Sequence, residues 1–159
     1  MLEPPHAFGP PLVGALLRMP TDVIRGAIIA GLHEHGYTDL TPAHFPVLRY
    51  PGPQGRRPVD LAAEAGMTKQ AMNYLLGQLE ALGYLERRAD PDDGRSRRVH
   101  LTARGEAIVE VIRDAVRGVE AAWAAELGED DMERLRELLV RLNVIALGGA
   151  RDRAGPGDR

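Results

Sequence analysis

The chain has 159 residues and a formal net charge of −3, with 44% apolar and 27% charged residues, which fits one compact domain with helical extensions. Cysteine is absent, which excludes disulfides, zinc–thiolate centres and thiol redox sensing. No apolar run approaches the ~18 residues of a membrane span and MLEPPHAFGPP lacks the regions of a signal peptide, so a cytoplasmic protein with no membrane partner is expected.

Residues 1–10 are proline-rich and expected to be a flexible N-terminus. From Leu12 to Leu32 apolar residues recur at helical spacing, interrupted at Pro20, which either kinks one helix or separates two. Gly36 ends that pattern, and Thr41-Pro42 reads as an N-cap followed by proline at the first helical position of a short helix through about Arg49. These N-terminal helices, 11–50, are assigned to dimerisation. PGPQGRRP, 51–58, reads as a loop.

A short helix, Val59 to Ala65, is closed by Gly66, and Thr68 caps a longer one that ends at Gly83. Two short strands follow, about 84–89 and 96–101, joined by the DPDDG turn. Thr102 opens a long amphipathic helix carrying Ile108, Val111, Ile112, Ala115, Val116, Val119, Ala122 and Trp123 on one face. Leu127-Gly128 breaks it. Asp130 and Glu133 start a last helix with Leu135, Leu138, Leu139, Leu142 and Ile145 inward. The segment 102–147 is thus a linker and dimerisation region, and 148–159 is expected to be a disordered tail.

Helix, glycine-containing turn, helix and two-stranded hairpin make a winged helix-turn-helix over 51–101. The fold class is mainly α with a small β-hairpin wing, flanked by N- and C-terminal dimerisation helices. In TKQAMNYLLGQLEALG, Ala71, Met72, Leu75, Leu79 and Leu82 form the inward stripe. Thr68, Lys69, Gln70, Asn73, Tyr74 and Gln78 form a DNA-facing set that also includes Gly77 on the exposed stripe. Asn and Gln can grip adenine bidentately, and Lys can reach guanine or phosphate; an ordinary solvated helix face is the competing reading.

Between Arg87 and Arg104 six arginines stand against three aspartates, so positive charge is concentrated in an acidic chain. Alternation turns Val99 and Leu101 toward the core and Arg98 and His100 away from it. Arg95, Arg97 and Arg98 are expected to reach the minor groove or phosphates of double-stranded DNA. Asp93 is expected to orient Arg95. A charged hairpin that only keeps itself soluble is the alternative.

The stretch LAAEAGMTKQAMNYLLGQLEALGYLERRADPDDGRSRRVHLTARG closely resembles the core of the MarR family of bacterial transcriptional regulators. Its marks are L-x-x-x-G-Y-L-x-R over Leu79–Arg87, D-P-D-D-x-R over Asp90–Arg95, and L-T-x-x-G over Leu101–Gly105. The resemblance covers about 58–105. It implies a homodimeric transcription factor, most often a repressor, on a pseudo-palindromic operator. It also implies release by a small aromatic or phenolic effector between the dimer helices and the winged domain. Tyr37, His44 and Tyr50 are candidate ligand-lining residues, with ordinary packing as the competing role. Pro20, Pro46 and the proline-rich loop depart from the family's uninterrupted helices.

His33, His35 and His44 are read as surface histidines and make no metal site. No nucleophile–base pair, phosphate loop or paired carboxylates stand out, so neither an enzyme nor a cofactor is expected. Two other readings stay open: a winged helix that binds proteins and not DNA, and a sensor of another winged-helix family.

Overall fold

The computed structural model describes residues 10–48, 52 and 54–153, with side chains through residue 146. It divides into two compact units, one up to Arg117 and the other from Gly118 onward.

In the first unit, helix α1 (Val13–Glu34) runs unbroken through Pro20, so the proline does not split it. A 3₁₀ turn, Pro42–His44, leads into the short α2 (Phe45–Leu48). Helix α3 (Pro58–Glu64) and α4 (Lys69–Ala81) are the helix-turn-helix pair. Gly66 sits between them at φ +63°, a left-handed conformation that favours glycine. Thr68 caps α4 by accepting a hydrogen bond from the Ala71 N–H at 3.1 Å.

The wing consists of β1 (Leu85–Asp90) and β2 (Asp93–Leu101), antiparallel, with Leu85 opposite Leu101 and Arg87 opposite Val99. Most of the expected DPDDG turn is therefore strand, and only Pro91 and Asp92 connect the two. The reason is local: the Asp90 carboxylate captures the Asp92 N–H at 3.0 Å and closes the chain tightly. The supposed loop before α3 is also partly recruited. Arg56 and Val99 exchange two backbone hydrogen bonds, of 3.0 and 2.8 Å, which gives β2 a second neighbour.

Met72, Leu75, Leu76 and Leu79, at helical spacing on α4, anchor one core. Leu61 and Ala62 of α3, Val47 and Leu48 of α2, Leu32 of α1, and Leu85 and Val99 of the wing complete it. Ile108 joins from α5 (Ala103–Leu127). Leu79 is fully buried, so its truncation to Ala should cost about 2–5 kcal/mol. Leu76 is as buried as its expected neighbours, while Ala71 and Leu82 are only half-buried.

The L-T-x-x-G motif acquires a physical cause. Thr102 Oγ1 donates to the Gly83 carbonyl at 2.6 Å and accepts from the Gly105 N–H at 3.1 Å. Gly105 is buried so close to the Tyr84 carbonyl oxygen that a Cβ would collide with backbone.

The second unit holds the end of α5 and α6 (Glu129–Arg153). Arg136 reaches Glu120 at 3.2 Å, and Ala124 and Met132 are buried. Helix α6 continues past the expected end at 147, because no proline interrupts its hydrogen bonds before Pro156. The tail expected from 148 is therefore helical as far as Arg153, and residues 154–159 lie outside the described ones, as do 1–9. The inward face expected for α6 is not inward within this chain: Leu135, Leu138 and Leu142 are exposed, and Ile145 is 71% exposed.

Candidate nucleic-acid interface

Opposite its buried stripe, α4 presents Lys69, Gln70, Asn73, Tyr74 and Gly77 to solvent, and Thr68 precedes them as the exposed cap. Tyr74 is 67% exposed, with its ring on the solvent side of the helix. Gln78 is different. It is half-buried, its Oε1 lies 3.1 Å from His44 Nε2, and its Nε2 donates to the Tyr74 hydroxyl at 3.1 Å. His44 is correspondingly buried, contrary to its reading as a surface histidine, because its ring seals the 3₁₀ turn against α4. His33 and His35 are exposed, and no group of three or more metal-ligating side chains occurs among the described residues.

The arginine concentration is largely neutralised in place. Arg87 pairs with Glu80 at 3.1 Å, Arg88 with Glu86, and Arg104 with Asp39 at 3.1 Å. Arg98 is held by Asp90 at 3.0 Å and Asp92 at 2.8 Å. Before α3, Arg56 pairs with Glu64 and Arg57 with Asp90 at 2.6 Å. Among the described residues 52–101, Lys69, Arg95 and Arg97 are the cations left without a carboxylate partner. All three are exposed, at the start of α4 and along the wing.

Two residues of the wing make contacts other than the ones the sequence suggests. Arg98 was expected to reach DNA, but its half-buried guanidinium is spent on Asp90 and Asp92. Its Nε faces Asp90 without hydrogen-bonding geometry, so that contact is Coulombic. Asp93 was expected to aim the Arg95 side chain, but it accepts from the Arg95 backbone N–H at 3.1 Å, as an Asx turn does. The carboxylate that organises the wing is Asp90, at the edge of the DPDDG stretch. Its side chain is fully buried between Arg57 and Arg98. Burial opposes its ionisation, but the Asp92 N–H and the two guanidiniums outweigh that, and its pKa lies below the ordinary carboxylate value. No local signal marked Asp90, since Arg57 lies 33 positions before it and Arg98 is met across the hairpin.

A second cluster joins Tyr37, Asp39, Tyr84 and Arg104. The buried Tyr84 hydroxyl donates to Asp39 at 2.6 Å and accepts from Arg104 at 2.9 Å. The Arg104 guanidinium lies 4.5 Å from the Tyr84 ring centroid and 6.0 Å from that of Tyr37. Burial, and then the hydrogen bond to Asp39, raise the Tyr84 pKa, so it remains a donor. Of the candidate ligand-lining residues, Tyr37 is half-buried here, His44 is committed to Thr41 and Gln78, and Tyr50 lies outside the described residues. The structure does not bring Tyr37 and His44 onto common partners.

A family model described as MarR family matches residues 38–96. The HTH-type transcriptional repressor Rv2887 of Mycobacterium tuberculosis is 34% identical over 131 residues, which span 82% of this chain and 92% of that protein. The crystal structure of the M. tuberculosis MarR family protein Rv2887 in complex with salicylic acid is 33% identical. It covers 84% of this chain and 97% of its own, with a TM-score of 0.60. The apo form of wild-type MarR from Escherichia coli gives a TM-score of 0.65 at 26% identity, covering 84% and 98%. With its helix-turn-helix pair, hairpin wing and L-T-x-x-G start of α5, the chain belongs to the MarR family, whose members are transcriptional regulators and not enzymes.

Proposed function

We propose that this regulator is a homodimeric, cytoplasmic repressor that binds a pseudo-palindromic operator in double-stranded DNA. Helix α4 enters the major groove with Thr68, Lys69, Gln70, Asn73 and Tyr74. Arg95 and Arg97 reach the minor groove or its phosphates, and Asp90 with Arg57 and Arg98 braces the wing behind them. The observation that carries this reading is the pattern of pairing. Every other described cation of residues 52–101 is matched to a carboxylate, while the three exceptions lie where a groove-docked winged helix meets phosphate.

Dimerisation is supported by apolar faces left exposed among the described residues. Val13, Leu16, Met19 and Val23 of α1 are exposed, as are Leu135, Leu138 and Leu142 of α6. Such faces require cover in water. A small aromatic acid is the proposed effector, since the relative Rv2887 was solved with salicylic acid. Tyr37 beside the Arg104 cation offers the matching ring and charge.

Footprinting on the DNA flanking the chain's own gene tests the reading and yields the operator. Six phosphate-facing cations per dimer should give log affinity against log salt a slope of about −5. A flat salt dependence, with no protected site, would leave a protein-binding winged helix instead.

A further inference from the structure

A chain of hydrogen bonds runs from the 3₁₀ turn to the exposed face of α4, and its direction can be deduced from one end. The Thr41 backbone N–H can only donate, and it lies 3.1 Å from His44 Nδ1. Nδ1 is therefore the acceptor nitrogen, and the neutral ring carries its proton on Nε2. That N–H points at Gln78 from 3.1 Å, so the Gln78 atom facing it must be the amide oxygen. The Gln78 NH₂ is then turned to the Tyr74 hydroxyl, 3.1 Å away, and donates to it. With that lone pair occupied from behind, the Tyr74 O–H must direct its own proton elsewhere. The ring is exposed on the stripe shared with Gln70 and Asn73, so the proton points outward.

We infer that buried His44 is a positioning residue for DNA reading: through Gln78 it sets Tyr74 as an outward hydrogen-bond donor, matched to an acceptor oxygen or nitrogen on the DNA. The inference rests on the reading of α4 as the groove-facing helix. It assigns His44 a role beyond packing, and it removes Gln78 from direct contact with bases. The acceptor is either a phosphate oxygen or an acceptor on a base edge in the major groove, where guanine, adenine and thymine all offer one.

The full-length protein is used for the test, with a pool of randomised duplex DNA as the probe. The wild type yields a consensus duplex, on which Tyr74→Phe, Gln78→Leu, His44→Leu and their pairwise combinations are measured. Tyr74→Phe should weaken binding by about five- to tenfold. In the Gln78→Leu or His44→Leu background the same change should cost less than about twofold, because the hydroxyl is no longer aimed. A base-edge acceptor shows as relaxed preference at one position of the selected sequences, and a phosphate as uniform loss with an unchanged consensus. Since His44→Leu could disturb the turn, nitrogen NMR of the free wild type supplies an independent reading, with His44 expected in the Nε2–H tautomer.

An Nδ1–H ring overturns the inference. So does a Tyr74→Phe cost that is equal in wild-type and Gln78→Leu backgrounds while the wild type still selects DNA. A wild type that selects no DNA sinks the reading of α4, and this inference with it.

Discussion

The winged region and the terminal helices solve the same problem in opposite ways. From Leu61 to Ile108, the large apolar residues of α3, α4, the wing and the start of α5, Tyr74 apart, pack against one another within a single chain. In the N-terminal half of α1 and along α6, apolar residues recur just as regularly, yet Met19 is 60% and Val144 67% exposed. Amphipathic periodicity is present in both. The contrast teaches that periodicity reports a face that needs cover and says nothing of which molecule covers it.

The most severe way to break this contrast is to put charge on the uncovered face. Leu138→Asp with Leu142→Asp should convert a dimer into monomers in sedimentation, because buried charge without a partner is costly. The winged region should stay folded, as both side chains are exposed in the single chain. DNA affinity should fall by about a hundredfold or more as the two half-sites become independent. A folded dimer carrying both changes would show that α6 is not covered by a second copy.

Within the winged region, the expected damage comes from close packing instead. Gly105→Ala places a methyl group against the Tyr84 backbone carbonyl, and should cost about 1–3 kcal/mol in denaturant unfolding. Gly77→Ala is the control on open surface: nothing lies within 4 Å of its added Cβ, and it should gain about 0.5–1 kcal/mol. If Gly77→Ala also weakens DNA binding, DNA backbone approaches α4 at that point.

The wing sharpens the comparison at single-residue scale. Arg95→Ala and Arg97→Ala should each make the salt slope less negative by about one for every phosphate left without its cation, with an unchanged melting temperature. Arg98→Ala should lower the melting temperature, since Asp90 would stay buried with one cation fewer. Equal effects of Arg95→Ala and Arg98→Ala on stability would remove the distinction between DNA-binding arginine and brace.

The smallest effect is expected in acid. The Asp90 pKa is lower in the folded chain than its ordinary value, so its contribution to stability is present above that value, about 3.9, and is lost as pH falls through the lower folded one. The wild-type melting temperature should therefore drop more steeply below about pH 4 than that of Asp90→Asn, which lacks the ionisation. Parallel pH profiles would mean that the carboxylate is not ionised by its neighbours.

Much of the site was legible in the chain because it depends on local rules. Thr68 caps α4 since its hydroxyl lies three residues before an unpaired N–H, and the exposed stripe of Gln70, Asn73 and Tyr74 follows from helical spacing alone. Gln78 belongs to that stripe by spacing and leaves it by contact, because His44, remote in sequence, takes its amide. The alternation that turned Arg98 outward was equally local. It could not register Asp90 and Arg57 meeting behind the wing.

Sequence by itself determined the order of helices, turn and hairpin, and the arginine-rich stretch between Arg87 and Arg104. Caps, glycine turns and apolar periods act over a few residues, and the charges are simply counted. Only the tertiary structure decided which of those arginines remain available. Ion pairing acts through space, and the partners of Arg57, Arg98 and Arg104 lie 33, 8 and 65 positions away or are met across a strand pair. It left Lys69, Arg95 and Arg97 unpaired, and it buried His44 behind a helix whose face it orders.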